Sequence, residues 1–202
     1  MSSTLKPHLI LSDRFFTAVT YVTTLHRDQV RKSTTIPYIC HPLGVASLLI
    51  EAGANEDQII AGLLHDIPED CGGEPRLVDI ELMFGAQVSE IVRGCSDSLT
   101  DSRTEKAPWP ERKALHIAHL KDGSPGVLLV TAADKLHNAR AIVTDLQTIG
   151  GEVWKRFNPE TNQALIVGYY KQIYQILEER EVTPTLLNPL KSAIANMSGG
   201  AS

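Results

Sequence analysis

The chain has 202 residues, 43% of them apolar and 21% charged, which suits one folded domain and excludes a disordered chain. Nineteen Lys and Arg against 24 Asp and Glu leave a net charge of -5. That excludes a broad basic face for tracking a nucleic-acid backbone, though not a local basic cluster for a small phosphorylated ligand. The predicted elements are helical almost throughout. Over residues 9–31, Leu11, Phe15, Val19, Val22 and Leu25 recur at steps of three or four and form one helix face. Pro42 suits the first position of the next helix, whose stripe Leu43, Ala46, Leu49 and Ile50 runs to Gly53, a residue suited to the position after the C-cap. Asn55 can cap a third helix with Ile59, Ile60, Leu63 and Leu64 on its buried side. Pro68 ends it near Ile67, because the residue before a proline avoids helical geometry. Residues 71–75 read as a loop.

Helical spacing resumes at about 76–84, 87–95, 111–121, 126–146, 160–181 and 185–197. Val127 to Val130 alone fits a strand, but Ala132, Ala133, Leu136 and Ala139 carry the pattern past strand length. Residues 97–110 are polar with two prolines and read as an exposed, mobile loop that could act as a lid. Residues 147–159 read as a second irregular connection. With no strand–helix alternation, the expected class is all-α, a single domain over 1–202 with its core at about 10–180 and a flexible tail at 198–202. Cys40, Cys71 and Cys95 are widely spaced with no CxxC, as expected of free thiols in a reducing compartment. No apolar run approaches the ~20 residues of a membrane span. The N-terminus shows no signal-peptide pattern, so a soluble cytoplasmic protein is expected, with neither nucleic acid nor membrane as partner. Homo-oligomerisation is left open.

Four short segments carry the chemistry: Tyr38-Ile-Cys-His41-Pro, Leu64-His65-Asp66, Glu69-Asp70 and Ala133-Asp134-Lys-Leu-His-Asn138. An ionised carboxylate among apolar neighbours is costly to bury unless it is paired or bound to a metal. Asp66 and Asp134 both pose that problem, on separate helices. Two carboxylates and two imidazoles call for a shared partner, and a divalent cation supplies one. Two nitrogens and two oxygens suit Mn²⁺ or Fe²⁺, and the absence of thiolate ligands argues against a structural zinc site.

The order His41, His65-Asp66, Asp134 resembles the HD superfamily of metal-dependent phosphohydrolases. The surrounding motifs are more specific. Leu25-His-Arg-Asp-Gln-Val-Arg-Lys32, Pro37-Tyr-Ile-Cys-His-Pro-Leu-Gly-Val-Ala46, Ala61-Gly-Leu-Leu-His-Asp-Ile-Pro-Glu-Asp70, Phe84-Gly-Ala-Gln-Val88 and Ala133-Asp-Lys-Leu-His-Asn-Ala-Arg140 resemble the successive motifs of the (p)ppGpp hydrolase domain. That domain occurs in long RelA/SpoT homologues and in stand-alone small alarmone hydrolases, and the chain length matches the stand-alone form. The resemblance covers residues 10–180 and implies an HD-domain helical bundle with a central metal site. It implies that His41, His65, Asp66 and Asp134 hold one Mn²⁺, with Fe²⁺, Co²⁺ or Zn²⁺ as alternatives. Glu69 and Asp70 match the acidic pair that positions or deprotonates the attacking water. Arg31 and Lys32 match the basic pair that packs on the guanine and contacts phosphate, and Asn138 and Arg140 match further substrate contacts. The implied reaction is hydrolysis of the 3′-pyrophosphate of ppGpp or pppGpp to GDP or GTP plus pyrophosphate, lowering alarmone levels.

Two departures bear on this. Ile67-Pro68 stands between the HD and ED pairs, and the loop from Arg31 to Pro37 is short and lacks the usual glycine. The loop keeps open another small nucleotide substrate: an adenosine alarmone, another 2′- or 3′-phosphorylated nucleotide, or a nucleoside monophosphate. The proline keeps open a binding protein without turnover. Elsewhere, His116 and His119 lie three apart without a carboxylate to complete a second metal site. His26 is expected to support the fold around His41, and His137 to pack beside Asn138. Lys135 suits either a salt bridge to Asp134 or a phosphate contact, and Trp109 and Trp154 are placed in loops.

Overall fold

The computed structural model describes residues 9–96, 107–157 and 161–199. Ten α-helices follow in order within these segments: α1 (Asp13–Leu25), α2 (Cys40–Glu51), α3 (Glu56–Leu64), α4 (Ile67–Cys71), α5 (Glu74–Phe84), α6 (Ala86–Cys95), α7 (Trp109–Lys121), α8 (Pro125–Ile149), α9 (Gln163–Glu179) and α10 (Pro184–Ser198). The all-α class is borne out; among the described residues the β pairing is one isolated antiparallel bridge between Val30 and Pro37. Most of the expected mobile loop at 97–110 lies outside the described residues.

The long helix α8 is the spine. At about 1.5 Å per residue its 25 residues span roughly 38 Å. Helices α2, α3, α6, α9 and α10 pack around it. Val127, Val130, Ala132, Ala133, Leu136 and Ala139 face that core and are almost wholly buried, which is why the apolar run from 127 is helix and not strand. Helix α10 packs on both α8 and α9, so the core continues beyond residue 180.

Local chemistry explains most helix ends. Ser12 caps α1 by accepting the Arg14 N–H and sets its start; the helix ends at Leu25 with His26 as C-cap, shorter at both ends than its apolar period suggested. Asn55 caps α3 in a reciprocal box with Gln58. Gly53 follows α2 with φ +76°, a conformation cheap only for glycine. Pro68 does more than stop α3. The helix pauses at His65-Asp66 and restarts as the five-residue α4, with the proline in its first turn where a missing N–H costs nothing. The connection at 147–159 is more ordered than its composition suggested: α8 runs on to Ile149 and a 3₁₀ turn covers Gly150–Arg156.

Helices α2 and α3 meet at a glycine. A Cβ on Gly62 would lie 2.3 Å from Leu49 Cδ1, so the absent side chain is what lets the two helices approach. That approach brings His41, near the start of α2, up to His65, at the end of α3.

Candidate metal centre and its cavity

Five chain segments converge at one point. His41 sits in the first turn of α2, His65 caps α3, Asp66 opens α4, Asp134 lies inside α8, and Tyr38 precedes α2. His41 Nε2 lies 3.3 Å from His65 Nε2, 3.3 Å from Asp66 Oδ2 and 3.3 Å from Asp134 Oδ1. His65 Nε2 lies 3.1 Å from Asp66 Oδ2 and 3.8 Å from Asp134 Oδ1. One ligand atom each from His41, His65 and Asp66 falls within 4.8 Å of the others, the arrangement of a divalent-metal site.

The neighbouring bonds suit that use. His65 Nδ1 faces the Gly62 carbonyl at 2.9 Å, so one ring proton sits there and Nε2 is the nitrogen turned into the cluster. His41 Nδ1 faces His137 Nδ1 at 2.9 Å. Tyr38 donates its hydroxyl to Asp66 Oδ2. Burial, then the charges of Asp66 and Asp70, hold that hydroxyl well above the usual tyrosine range, so it stays a donor. Asp134 divides its oxygens: Oδ2 takes Lys135 Nζ at 2.7 Å, while Oδ1 takes Asn138 Nδ2 at 2.5 Å and faces the histidines.

Electrostatics favours a cation at the centre. Burial opposes charge on His65, yet Asp66 and then Asp134 outweigh it and push the imidazole well above the usual histidine range. Burial likewise opposes charge on Asp66, but His65 and His41 hold the carboxyl well below the usual range. Asp134 is held low against burial by Lys135, then by the two histidines. Carboxylates this strongly ionised, facing imidazole nitrogens with no room between them for several protons, form a donor set of nitrogen and oxygen that fits a divalent ion.

A cavity of about 510 Å³ opens beside the cluster, lined by Tyr38, His137 and Asn138 next to it. Five cations line this cavity, Arg31, Lys32, Lys113, Lys135 and Arg156, against one carboxylate, Asp145. Its aromatic wall includes Trp109, Phe157, Tyr169 and Tyr170. Arg31 and Lys32 reach it from the turn closed by the Val30–Pro37 bridge, where Arg31 N–H donates to the Ile36 carbonyl at 2.8 Å and Tyr38 N–H to the Gln29 carbonyl at 2.9 Å. Ser33 takes φ +57° there, the conformation a glycine would hold at no cost. Arg31 Nη2 donates to Asn138 Oδ1 at 2.6 Å, so Arg31, Asn138 and Asp134 form one chain of hydrogen bonds.

The sequence-expected residues therefore divide. His41, His65, Asp66 and Asp134 come together, and Arg31, Lys32 and Asn138 line the cavity. Glu69 and Asp70 are half-buried on α4, one turn from Asp66 and outside the cavity lining. Arg140 is exposed on α8 and does not line the cavity. His116 is buried against the Tyr169 hydroxyl at 2.9 Å while His119 is exposed, so they do not face a common ion. His26 bonds Gln29 Oε1 at 2.5 Å and lies against the Tyr38 ring at 4.7 Å, supporting the site from behind. Trp109 opens α7 and lines the cavity, whereas Trp154, in the 3₁₀ turn, packs on Phe157. Sequence reasoning gave Tyr38 no role of its own, although it opens one of the four singled-out segments, and it missed Lys113 and Arg156, which have no local pattern that distinguishes them from surface residues.

The HD domain family matches residues 18–161. The chain belongs to the HD-domain family. Among its relatives is the human guanosine-3′,5′-bis(diphosphate) 3′-pyrophosphohydrolase MESH1, 41% identical over 140 residues that cover 68% of this chain and 72% of that protein. A probable guanosine-3′,5′-bis(diphosphate) 3′-pyrophosphohydrolase of Synechocystis is 34% identical over 160 residues, which are 78% of this chain but 19% of that longer protein. A solved structure described as a metazoan ortholog of SpoT that hydrolyzes ppGpp superposes with a TM-score of 0.72 at 29% identity, covering 93% of this HD-domain chain and 97% of the other. No helix among the described residues is long and apolar enough to cross a membrane.

Proposed function

We propose that this HD domain hydrolyses the 3′-pyrophosphate of ppGpp and pppGpp, releasing pyrophosphate and GDP or GTP. The observation that carries this reading is the joining of a His/His/Asp cluster to a cavity with five cations and one carboxylate, on a chain whose net charge is -5. Such a cavity suits a small polyanion, and an ion held by the cluster would act as a Lewis acid beside it.

His41, His65, Asp66 and Asp134 would hold the ion, with Mn²⁺ the first choice for an N₂O₂ set and Fe²⁺, Co²⁺ or Zn²⁺ as alternatives. A divalent cation there supplies polarisation of a phosphoryl oxygen and activation of water near neutral pH. The chain's own residues supply the rest. Glu69 and Asp70, on the helix that restarts after Asp66, accept the proton of the attacking water and orient it. Lys113 and Lys135 both lie over the Tyr169 ring, 5.2 Å and 5.9 Å from its centroid, and balance phosphate charge. Arg31 offers a planar cation to the base and Lys32 a compact one to phosphate. Asn138 bonds both Arg31 and Asp134, so a nucleotide that displaces the Arg31 contact is sensed at a metal ligand. Arg140, exposed on α8 outside the cavity lining, would contribute positive charge without touching the cavity wall. The three free thiols fit a cytoplasmic setting.

The test is a nucleotide panel with Mn²⁺, with products separated by chromatography. Release of pyrophosphate from ppGpp, abolished by a chelator, is expected. Rapid cleavage of an adenosine alarmone or a nucleoside monophosphate with ppGpp left intact would replace this reading.

A further inference from the structure

His137 has no role in the reading above, yet it touches a proposed ligand directly. Its Nδ1 lies 2.9 Å from His41 Nδ1, and the two ring centroids are 4.9 Å apart. Two imidazole nitrogens at that distance need one donor and one acceptor. His41 Nε2 points into the cluster, 3.3 Å from each of three ligand atoms, and to hold a divalent ion there it would have to offer its lone pair. A metal-binding His41 would then keep its one proton on Nδ1. His137 Nδ1 is therefore the acceptor, and His137 carries its own proton on Nε2.

The ring is also held from behind. A Cβ on Gly44 would lie 2.3 Å from both His137 Cδ2 and Nε2. The glycine in the first half of α2 thus forms the seat of a ring borne on α8. Helix α2 carries both the seat and His41, and α8 carries both His137 and Asp134, so the contact ties the two ligand-bearing helices at the height of the metal site.

We infer that His137 is a positioning residue: seated on Gly44, it accepts the His41 Nδ1 proton and so fixes the tautomer and ring orientation in which His41 Nε2 binds the metal. This rests on the metal-site reading of the cluster and is independent of which nucleotide is cleaved. Partners of this kind to metal-binding histidines are worth about 10- to 100-fold in metal affinity.

The experiment is a metal titration without nucleotide, using Mn²⁺ in competition with a chelating dye, on the full chain and its variants. His137→Phe keeps a flat ring and removes the acceptor, and is expected to weaken Mn²⁺ binding by about 10-fold or more with little change in the melting temperature of the metal-free protein. His137→Asn keeps an acceptor close to the Nδ1 position and is expected to recover most of the affinity. Gly44→Ala is expected to weaken binding in the wild type and to cost less beside His137→Asn, whose shorter side chain leaves room for the methyl. Nitrogen NMR of labelled imidazoles in the loaded protein reads the tautomer directly: His41 protonated on Nδ1, His137 on Nε2. Unchanged Mn²⁺ affinity in His137→Phe, or equal losses in the Phe and Asn variants, would overturn the positioning role. A nucleotide panel that failed with ppGpp while these affinities behaved as stated would count against the substrate reading alone.

Discussion

Replacing Asp134 by Asn tests how much of this site is held by charge. The exchange keeps the side chain's shape and removes its ionisation. Asp134 Oδ2 lies 2.7 Å from Lys135 Nζ, and the two side chains are only 11% and 15% exposed. Burial works against charge on Lys135, and Asp134 is the main influence that keeps its ammonium ionised. In Asp134→Asn that ammonium is left against Tyr169, its nearest aromatic compensation at 5.9 Å. Breaking a buried pair from one side costs about 3–5 kcal/mol. The ring contact is already present and offsets none of this, but Lys135 lines the cavity and keeps 15% exposure, so hydration recovers part of the loss. A net loss of about 2–3 kcal/mol is expected, which for a chain of this size lowers the melting temperature by roughly 5–10 °C. The assay is urea unfolding of chelator-treated protein at neutral pH, paired with Lys135→Met. Beside Lys135→Met, Asp134→Asn should cost under about 1 kcal/mol, because the stranded ammonium is gone. Equal losses in both backgrounds would refute the claim that Lys135 is what Asp134 stabilises.

Three further outcomes are expected. Glu69→Ala should retain metal while kcat falls by about 10²-fold or more, the effect of a lost proton acceptor; loss of metal in a direct metal assay would make Glu69 a ligand. In the metal-free protein, the stability from protonated His65 is fully present below its ordinary pKa of about 6.5 and lost as pH rises through its raised value. That from Asp66 and Asp134 is present above about 3.8 and lost as pH falls through their depressed values. Melting temperature without metal should therefore peak between those limits, while Mn²⁺ affinity should strengthen from pH 6 to pH 8 as the ion displaces the His65 proton; weaker binding at pH 8 would contradict this. Gly62→Ala gains up to about 1 kcal/mol of helix propensity but drives a methyl into Leu49, which is wholly buried, at about 1–3 kcal/mol. A net loss on urea unfolding, relieved by Leu49→Val, is expected, and a more stable Gly62→Ala would show that α2 and α3 can part freely.

Local sequence carried the helices well where their signals were local. The Asn55 cap, the apolar run from Val127 and the stop at Gly53 act within a few residues, and each is where the pattern placed it. Pro68 shows the limit: the same residue disfavours helix before it and favours helix after it, and only the packing of Ile67 and Pro68 into the core made the second effect prevail.

The same division runs through the site. The carboxylates at Asp66, half-buried, and Asp134, buried, are legible in sequence because a charge among apolar neighbours is anomalous wherever the chain goes. Partners that meet across long separations leave no such mark. His137 reaches His41 across 96 positions and Arg31 reaches Asn138 across 107. Lys113 and Arg156 read as ordinary surface cations until α7 and the 3₁₀ turn bring them to one cavity. Sequence alone determined the helical class and the metal-seeking groups, since both follow from short-range chemistry. Only the tertiary structure decided which ring nitrogens face one another and where the net charge of -5 gives way to a basic pocket, because those depend on distances between helices that no local spacing encodes.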